Sequence, residues 1–169
     1  MNSIGIRAPA GFVKTFLLNP YRVLRLNPSW YIREIKADDA GAYVITLYDD
    51  RTDETSQVTL NIEVRGQSIR YRMNSETMEF VVDEATPPLT TLSVKGDFFR
   101  GEDLPHWLRG LKNYIRLEAT QSGIAKWLLD RFWLRMTPSQ RRIATIIILA
   151  EGIGLAALIA VVVALKLMQ

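Results

Sequence analysis

The chain has 169 residues, 48% of them hydrophobic and 23% charged, with a net charge of +3, one histidine and no cysteine. The lack of cysteine excludes thiol catalysis, disulfides, Cys-ligated zinc and iron–sulfur clusters, and it fits a reducing compartment. A single histidine leaves any histidine-built triad or metal site without partners.

The N-terminal stretch Met1–Leu18 has no basic segment followed by an unbroken apolar run, so no secretory signal is expected. Ser3–Arg7 reads as a short strand. Ala8-Pro9-Ala10-Gly11 breaks it, and Phe12, Val13, Phe16 and Leu17 form a short helical face. Asn19-Pro20 ends that helix. A second brief helix is expected over Tyr21–Leu26, and Asn27-Pro28-Ser29 turns the chain into a run of strands.

Six strands are expected there. Val58, Leu60, Ile62 and Val64 alternate with polar residues, and so do Ile69, Tyr71 and Met73. Period two with a polar partner face predicts antiparallel strands with one side in water. Arg65-Gly66-Gln67 between the two runs is a tight hairpin turn. Trp30–Ala37, Ala42–Tyr48, Met78–Glu84 and Thr90–Phe99 are the other strands, with Pro87-Pro88 separating the last two. After Phe99 the period changes. Leu104, Trp107, Leu108, Leu111, Ile115 and Glu118 recur at intervals of three and four, which predicts a long helix with one core face. Asp103 is placed to cap it, and Pro105 suits its first turn.

The next segment is basic and aromatic. Ile124, Trp127, Leu128, Phe132, Trp133 and Met136 are interleaved with Lys126, Arg131 and Arg135. Residues 126–142 carry five basic groups against Asp130 alone, a net +4, whereas residues 1–125 carry 15 basic and 16 acidic groups. The excess charge is therefore a membrane-flank signal rather than a nucleic-acid signal. Basic amphipathic segments with tryptophan lie at headgroup depth, so Lys126, Trp127, Arg131, Trp133, Arg135, Arg141 and Arg142 are the expected interface residues. Thr137-Pro138 breaks this segment before the apolar run.

Ile143–Leu165 is 23 residues with one charge, Glu151. At about 1.5 Å per residue it reaches about 35 Å, enough for a bilayer core of about 30 Å. Only Lys166 to Gln169 follow, so a tail-anchored, single-pass protein is expected. Positive flanks stay in the cytoplasm, which puts the soluble domain on the cytoplasmic side of a bacterial inner membrane. Gly152, Ala156 and Ala160 repeat at four-residue spacing, a stripe on which another transmembrane helix can pack closely. Glu151 beside it costs roughly 3 kcal/mol to insert at mid-helix, so it is expected to face a partner subunit or to be neutralised. The expected organisation is a soluble domain at 1–122, a juxtamembrane segment at 123–142 and a transmembrane helix at 143–166.

The order of elements is strand, two short helices, six strands and a long helix. Together with the opening SIGIRAPAGFVKTFLLNP and the following PSWYIREI, it resembles the START-like, or SRPBCC, helix-grip superfamily. The resemblance covers about residues 3–120. It implies an α+β fold in which a curved antiparallel sheet of about seven strands grips the long helix. It also implies an apolar cavity for a lipid, sterol, polyketide or quinone-like ligand. The residues expected to face it are Leu60, Ile62, Ile69, Tyr71, Met73, Phe80, Val82, Leu92 and Val94 on the sheet. Trp107, Leu108, Leu111 and Ile115 would face it from the helix. The alternative is that the same residues simply fill the core.

Catalytic signals are sparse. There is no GxSxG, no Walker loop and no dinucleotide fingerprint. Asp49-Asp50 and Asp53-Glu54 match no calcium loop and read as solvated turn carboxylates. His106, at the start of the long helix, suits a surface or cavity-mouth position. No catalytic residue, cofactor or nucleic-acid partner is expected. Two functions fit: a membrane-surface module that binds or presents a hydrophobic molecule, or an accessory subunit of a respiratory or photosynthetic membrane complex.

Overall fold

The computed structural model describes residues 2–39, 41–85, 89–96, 98, 103–119 and 123–167. Pro87-Pro88 and Gly101-Glu102 lie outside the described residues, as do the side chains of Asp103, Ile124 and Lys126. The chain divides into two compact units, Met1–Arg135 and Met136–Gln169.

The first unit is a seven-stranded antiparallel sheet, open and curved, wrapped around a long helix. Its strands are β1 (Asn2–Arg7), β2 (Trp30–Ala37), β3 (Tyr43–Asp49), β4 (Glu54–Arg65), β5 (Ser68–Met73), β6 (Glu76–Glu84) and β7 (Leu89–Gly96). The order across the sheet is β1-β7-β6-β5-β4-β3-β2, so β2 to β7 form a meander and β1 joins its last strand. The helices α1 (Ala10–Leu17) and α2 (Pro20–Arg25) fill the long connection from β1 to β2. Asn19 caps α2 by accepting from the Arg22 N–H, and Pro20 takes the first turn, where its missing donor costs nothing.

The turns follow local chemistry. Arg65 pairs with Ser68, leaving Gly66-Gln67 as a two-residue hairpin loop with Gly66 at φ +60°. Met73 pairs with Glu76 across Asn74-Ser75, and Asn74 supplies the left-handed residue at φ +54°. A Cβ on Gly96 would stand 2.2 Å from the Thr77 carbonyl oxygen, so the close pairing of β7 on β6 requires glycine there.

Curvature comes partly from β2. The register slips between Ile32 and Glu34, a bulge at Arg33. It turns Ile35 inward with Trp30 and Ile32, although strict alternation would have sent Ile35 to solvent. On the concave face α3 (Asp103–Ala119) packs along β1 and α1, and α1 packs on β6 and β7. The buried face of α3 is Trp107, Leu108, Leu111, Tyr114 and Ile115. A shorter helix α4 (Gly123–Arg131) and a 3-10 turn (Trp133–Arg135) follow.

The second unit is one helix, α5 (Pro138–Leu167). A capping box starts it. Thr137 Oγ1 accepts from the Gln140 N–H at 3.3 Å, and Gln140 Oε1 accepts from the Thr137 N–H at 2.9 Å. The helix therefore begins before the apolar run and takes in Arg141 and Arg142. Its stretch Pro138–Ala160 is long and apolar enough to cross a membrane, with a mean hydropathy of 2.4.

Candidate functional site

The residues expected to line a ligand cavity do come together between sheet and helix. Antiparallel register sets them side by side: Leu60 opposite Met73, Ile62 opposite Tyr71, Ile69 opposite Phe80, and Phe80 opposite Val94. Alternation sends them all to the concave face. Twelve of the thirteen are buried, and Ile62 is partly buried against them.

They meet as a packed core. Leu60, Tyr71, Phe80, Val82, Leu92, Trp107, Leu111 and Ile115 each have 0% of their surface accessible. Side chains lining a void of ligand size would keep accessible surface, so there is no such space among these eight. Aromatic rings occupy the middle of the grip. Tyr71 and Phe80 meet edge-on with centroids 5.1 Å apart, and Phe80 and Trp107 lie at 5.9 Å. Each polar tip has a partner. Trp107 Nε1–H donates to the Val23 carbonyl at 3.0 Å, and the Tyr71 hydroxyl donates to the Leu17 carbonyl. Burial pushes the Tyr71 phenol far above its usual range, with a smaller push from Tyr43, so it stays a neutral donor.

Open space is found elsewhere. A cavity of about 240 Å³ remains on the concave face at the far end of β3 and β4. Trp30, Leu47, Val58 and Met73 form its apolar wall, and Asp49, Glu54 and Glu76 its rim. Met73 alone is shared with the expected cavity residues. Burial opposes the charge on Asp49, but Arg51, through side chain and backbone, outweighs it and holds the carboxyl below its usual range. The Trp30 Nε1–H adds a bond at 3.1 Å. Asp53, at φ +57°, accepts from the Tyr48 hydroxyl at 2.7 Å. Asp49 and Asp53 thus have local turn and strand partners. Among the described residues, no three His, Cys, Asp or Glu side chains converge as a metal site. His106 is exposed on α3.

A polar seam ties α2, α3 and α4 together. Arg22 pairs with Glu118, and the Tyr114 hydroxyl donates to Asp130. Burial, then the hydrogen bond to Asp130, push the Tyr114 phenol upward. Glu118 stood out in the sequence as the one polar member of the helix's core face, and its partner Arg22 explains that position.

The collar residues divide. Trp127 is 58% and Phe132 49% exposed, with rings edge-on at 5.6 Å. Arg131 and Arg135 are also exposed. Trp133 instead packs against the core beside buried Leu134, because the 3-10 turn swings those two residues inward. Lys126 lies in α4. Arg141 and Arg142 occupy the first turns of α5, and Glu151, Gly152, Ala156 and Ala160 are exposed along it.

No protein-family model matches the chain, and no curated protein matches it in sequence. Solved structures do match in fold. A START superfamily protein from Mycobacterium smegmatis superposes with a TM-score of 0.53 at 12% identity, covering 69% of this chain and 96% of that one. A Deinococcus radiodurans protein gives 0.52 at 13% identity, with 69% and 95% covered. The di-domain ARO/CYC StfQ from the steffimycin biosynthetic pathway gives 0.53 at 12% identity, with 71% of this chain but only 46% of that one covered. At these identities the likeness is one of architecture: the chain carries a START-like helix-grip fold, joined to one helix long and apolar enough to cross a membrane.

Proposed function

We propose that this chain is a non-catalytic accessory subunit of a larger membrane assembly, held by α5, with its helix-grip domain on the cytoplasmic face. The observation that carries this reading is the filled grip. Pockets for small-molecule ligands run to about 300 Å³ or more, whereas Trp107, Tyr71 and Phe80 occupy the centre of the grip with no exposed surface. A grip filled at its centre leaves the domain's surface as the part that meets another protein. The helix that anchors it bears a mid-span carboxylate, Glu151, which is costly in lipid unless another helix receives it.

Native purification of the full chain from membranes in mild detergent, followed by mass spectrometry, tests this. Stoichiometric co-purification of other membrane proteins is the expected result. A chain that runs alone, with a hydrophobic molecule bound in stoichiometric amount, would overturn it. Orientation is read separately: protease added to intact spheroplasts should leave the N-terminal domain intact, and its digestion would end the cytoplasmic assignment.

A second reading rests on the concave-face cavity of about 240 Å³ beside Trp30 and Met73. A lipid or quinone-like molecule could enter there if Met73, an unbranched and adaptable side chain, moved aside. Copurification of such a molecule, lost in Met73→Trp, would favour it.

A further inference from the structure

Two cations on the collar have no acidic partner among the described residues. Arg131 ends α4 and Arg135 ends the 3-10 turn, and both are exposed. Among the described residues no carboxylate pairs with either of them. They line one open groove of about 350 Å³ together with Gly123, Trp127 and Asp130. Asp130 is already engaged by the Tyr114 hydroxyl from α3. Among the described residues the groove thus holds two guanidinium groups and one carboxylate, an excess of one positive charge.

The apolar side of the groove is Trp127, 58% exposed, and its ring meets that of Phe132, 49% exposed, edge-on at 5.6 Å. Exposed aromatic rings beside arginines suit a lipid–water boundary. Guanidinium forks match phosphate oxygens in geometry as well as charge. In sequence, Arg135 stands just ahead of Thr137, the cap of the helix that is long enough to span.

We propose that this groove seats the phosphodiester of one anionic phospholipid headgroup, held by Arg131 and Arg135 with Trp127 against the upper acyl chain. The excess charge of one matches a singly charged headgroup such as phosphatidylglycerol. Phosphatidylcholine brings its own cation and gains less. The inference rests on the membrane-held reading, and the test separates the two.

The full chain, purified in nonionic detergent, is titrated with phosphatidylglycerol or phosphatidylcholine, and retained lipid is counted by native mass spectrometry. One phosphatidylglycerol should be retained in preference to phosphatidylcholine. The preference should fall about tenfold or more in Arg131→Gln/Arg135→Gln, as expected for loss of charge-assisted bonds. Arg131→Lys/Arg135→Lys should keep part of it, which guards against a folding artefact. Equal retention of the two lipids, an undiminished preference in the Gln variant, or displacement of the lipid by millimolar inorganic phosphate would each overturn the headgroup site. In parallel, the chain is reconstituted into phosphatidylcholine vesicles and extracted with carbonate. Release by carbonate ends the membrane-held reading and the headgroup site with it. Retention with no phosphatidylglycerol preference ends the headgroup site alone.

Discussion

The indole N–H of Trp107, in the second turn of α3, donates to the backbone carbonyl of Val23 in α2 at 3.0 Å. This bond joins the gripped helix to the second short helix of the long β1–β2 connection, and both residues are fully buried. Replacing Trp107 by Phe keeps most of the apolar volume but leaves that carbonyl unpaired away from water. The expected cost is about 1–3 kcal/mol. Trp107→Ala adds a cavity and should cost about 3–5 kcal/mol. Urea unfolding of the full chain in detergent measures both. A Phe variant as stable as wild type would show that the bond contributes nothing net.

Most of the grip was legible because its residues obey simple periods. Val58 to Val64 and Ile69 to Met73 alternate, and Leu104 to Ile115 recur at helical spacing, so strands, helix and shared face follow directly. What broke a period was missed. Ile35 turns inward only through the bulge at Arg33, which no alternation predicts. β4 runs back to Glu54 through the polar Glu54-Thr55-Ser56-Gln57, which pairs with β3 but carries no hydrophobic signal. The start of α5 is in the sequence as Thr137-Pro138-Ser139-Gln140, a capping box that lies six residues ahead of the apolar run and so carries no hydrophobic signal. The inward turn of Trp133 and the partnership of Tyr114 with Asp130 are tertiary facts between segments, and no local pattern encodes them. Whether the grip holds a cavity also escapes a sequence, since the same side chains can line a void or fill it.

Leu111 bears directly on that question. It is on the buried face of α3 with 0% exposure. Leu111→Trp inserts a large ring into a close-packed site, and overpacking typically costs about 1–3 kcal/mol. The expected outcome is a lower melting temperature with no change in the lipid that co-purifies. An unchanged melting temperature, together with loss of a bound hydrophobic molecule, would mean that a ligand occupies this space in the cell.

Tyr71 predicts an alkaline limit to stability. Its phenol is pushed up in the folded state by burial, whereas in the unfolded chain it ionises near its ordinary value of about 10. Below that pH the group is neutral in both states and its contribution is constant. Above it, the unfolded chain loses the proton while the folded chain keeps it. Stability should therefore fall by about 1.4 kcal/mol per pH unit from this group alone. Tyr71→Phe should lower stability at pH 7 by about 1 kcal/mol, through loss of the bond to the Leu17 carbonyl. It should also flatten the decline above pH 10. Melting curves from pH 7 to pH 11 check both parts, and an identical alkaline slope in the two proteins would refute the assignment.

Gly152 offers a test of assembly that does not disturb the helix it sits on. A Cβ built there meets nothing within 4 Å, and the neighbouring Glu151, Ala156 and Ala160 are exposed. Leucine is also the better helix former, by roughly 0.8–1 kcal/mol over glycine in helix interiors. Gly152→Leu should therefore leave α5 folded and inserted, so any loss must come from what packs against it. Membrane helices associate mainly through close contact over small residues. If a partner helix uses this stripe, the Leu variant should drop out of the complex on a mild-detergent native gel while remaining in the membrane fraction. Glu151→Gln should be milder if the carboxylate acts only as a hydrogen-bond acceptor, and as severe as Gly152→Leu if it neutralises a buried cation on the partner. A Gly152→Leu chain that keeps every partner would move the assembly surface off this face of α5. The assembly surface would then lie on the helix-grip domain, whose centre is filled by Tyr71, Phe80 and Trp107.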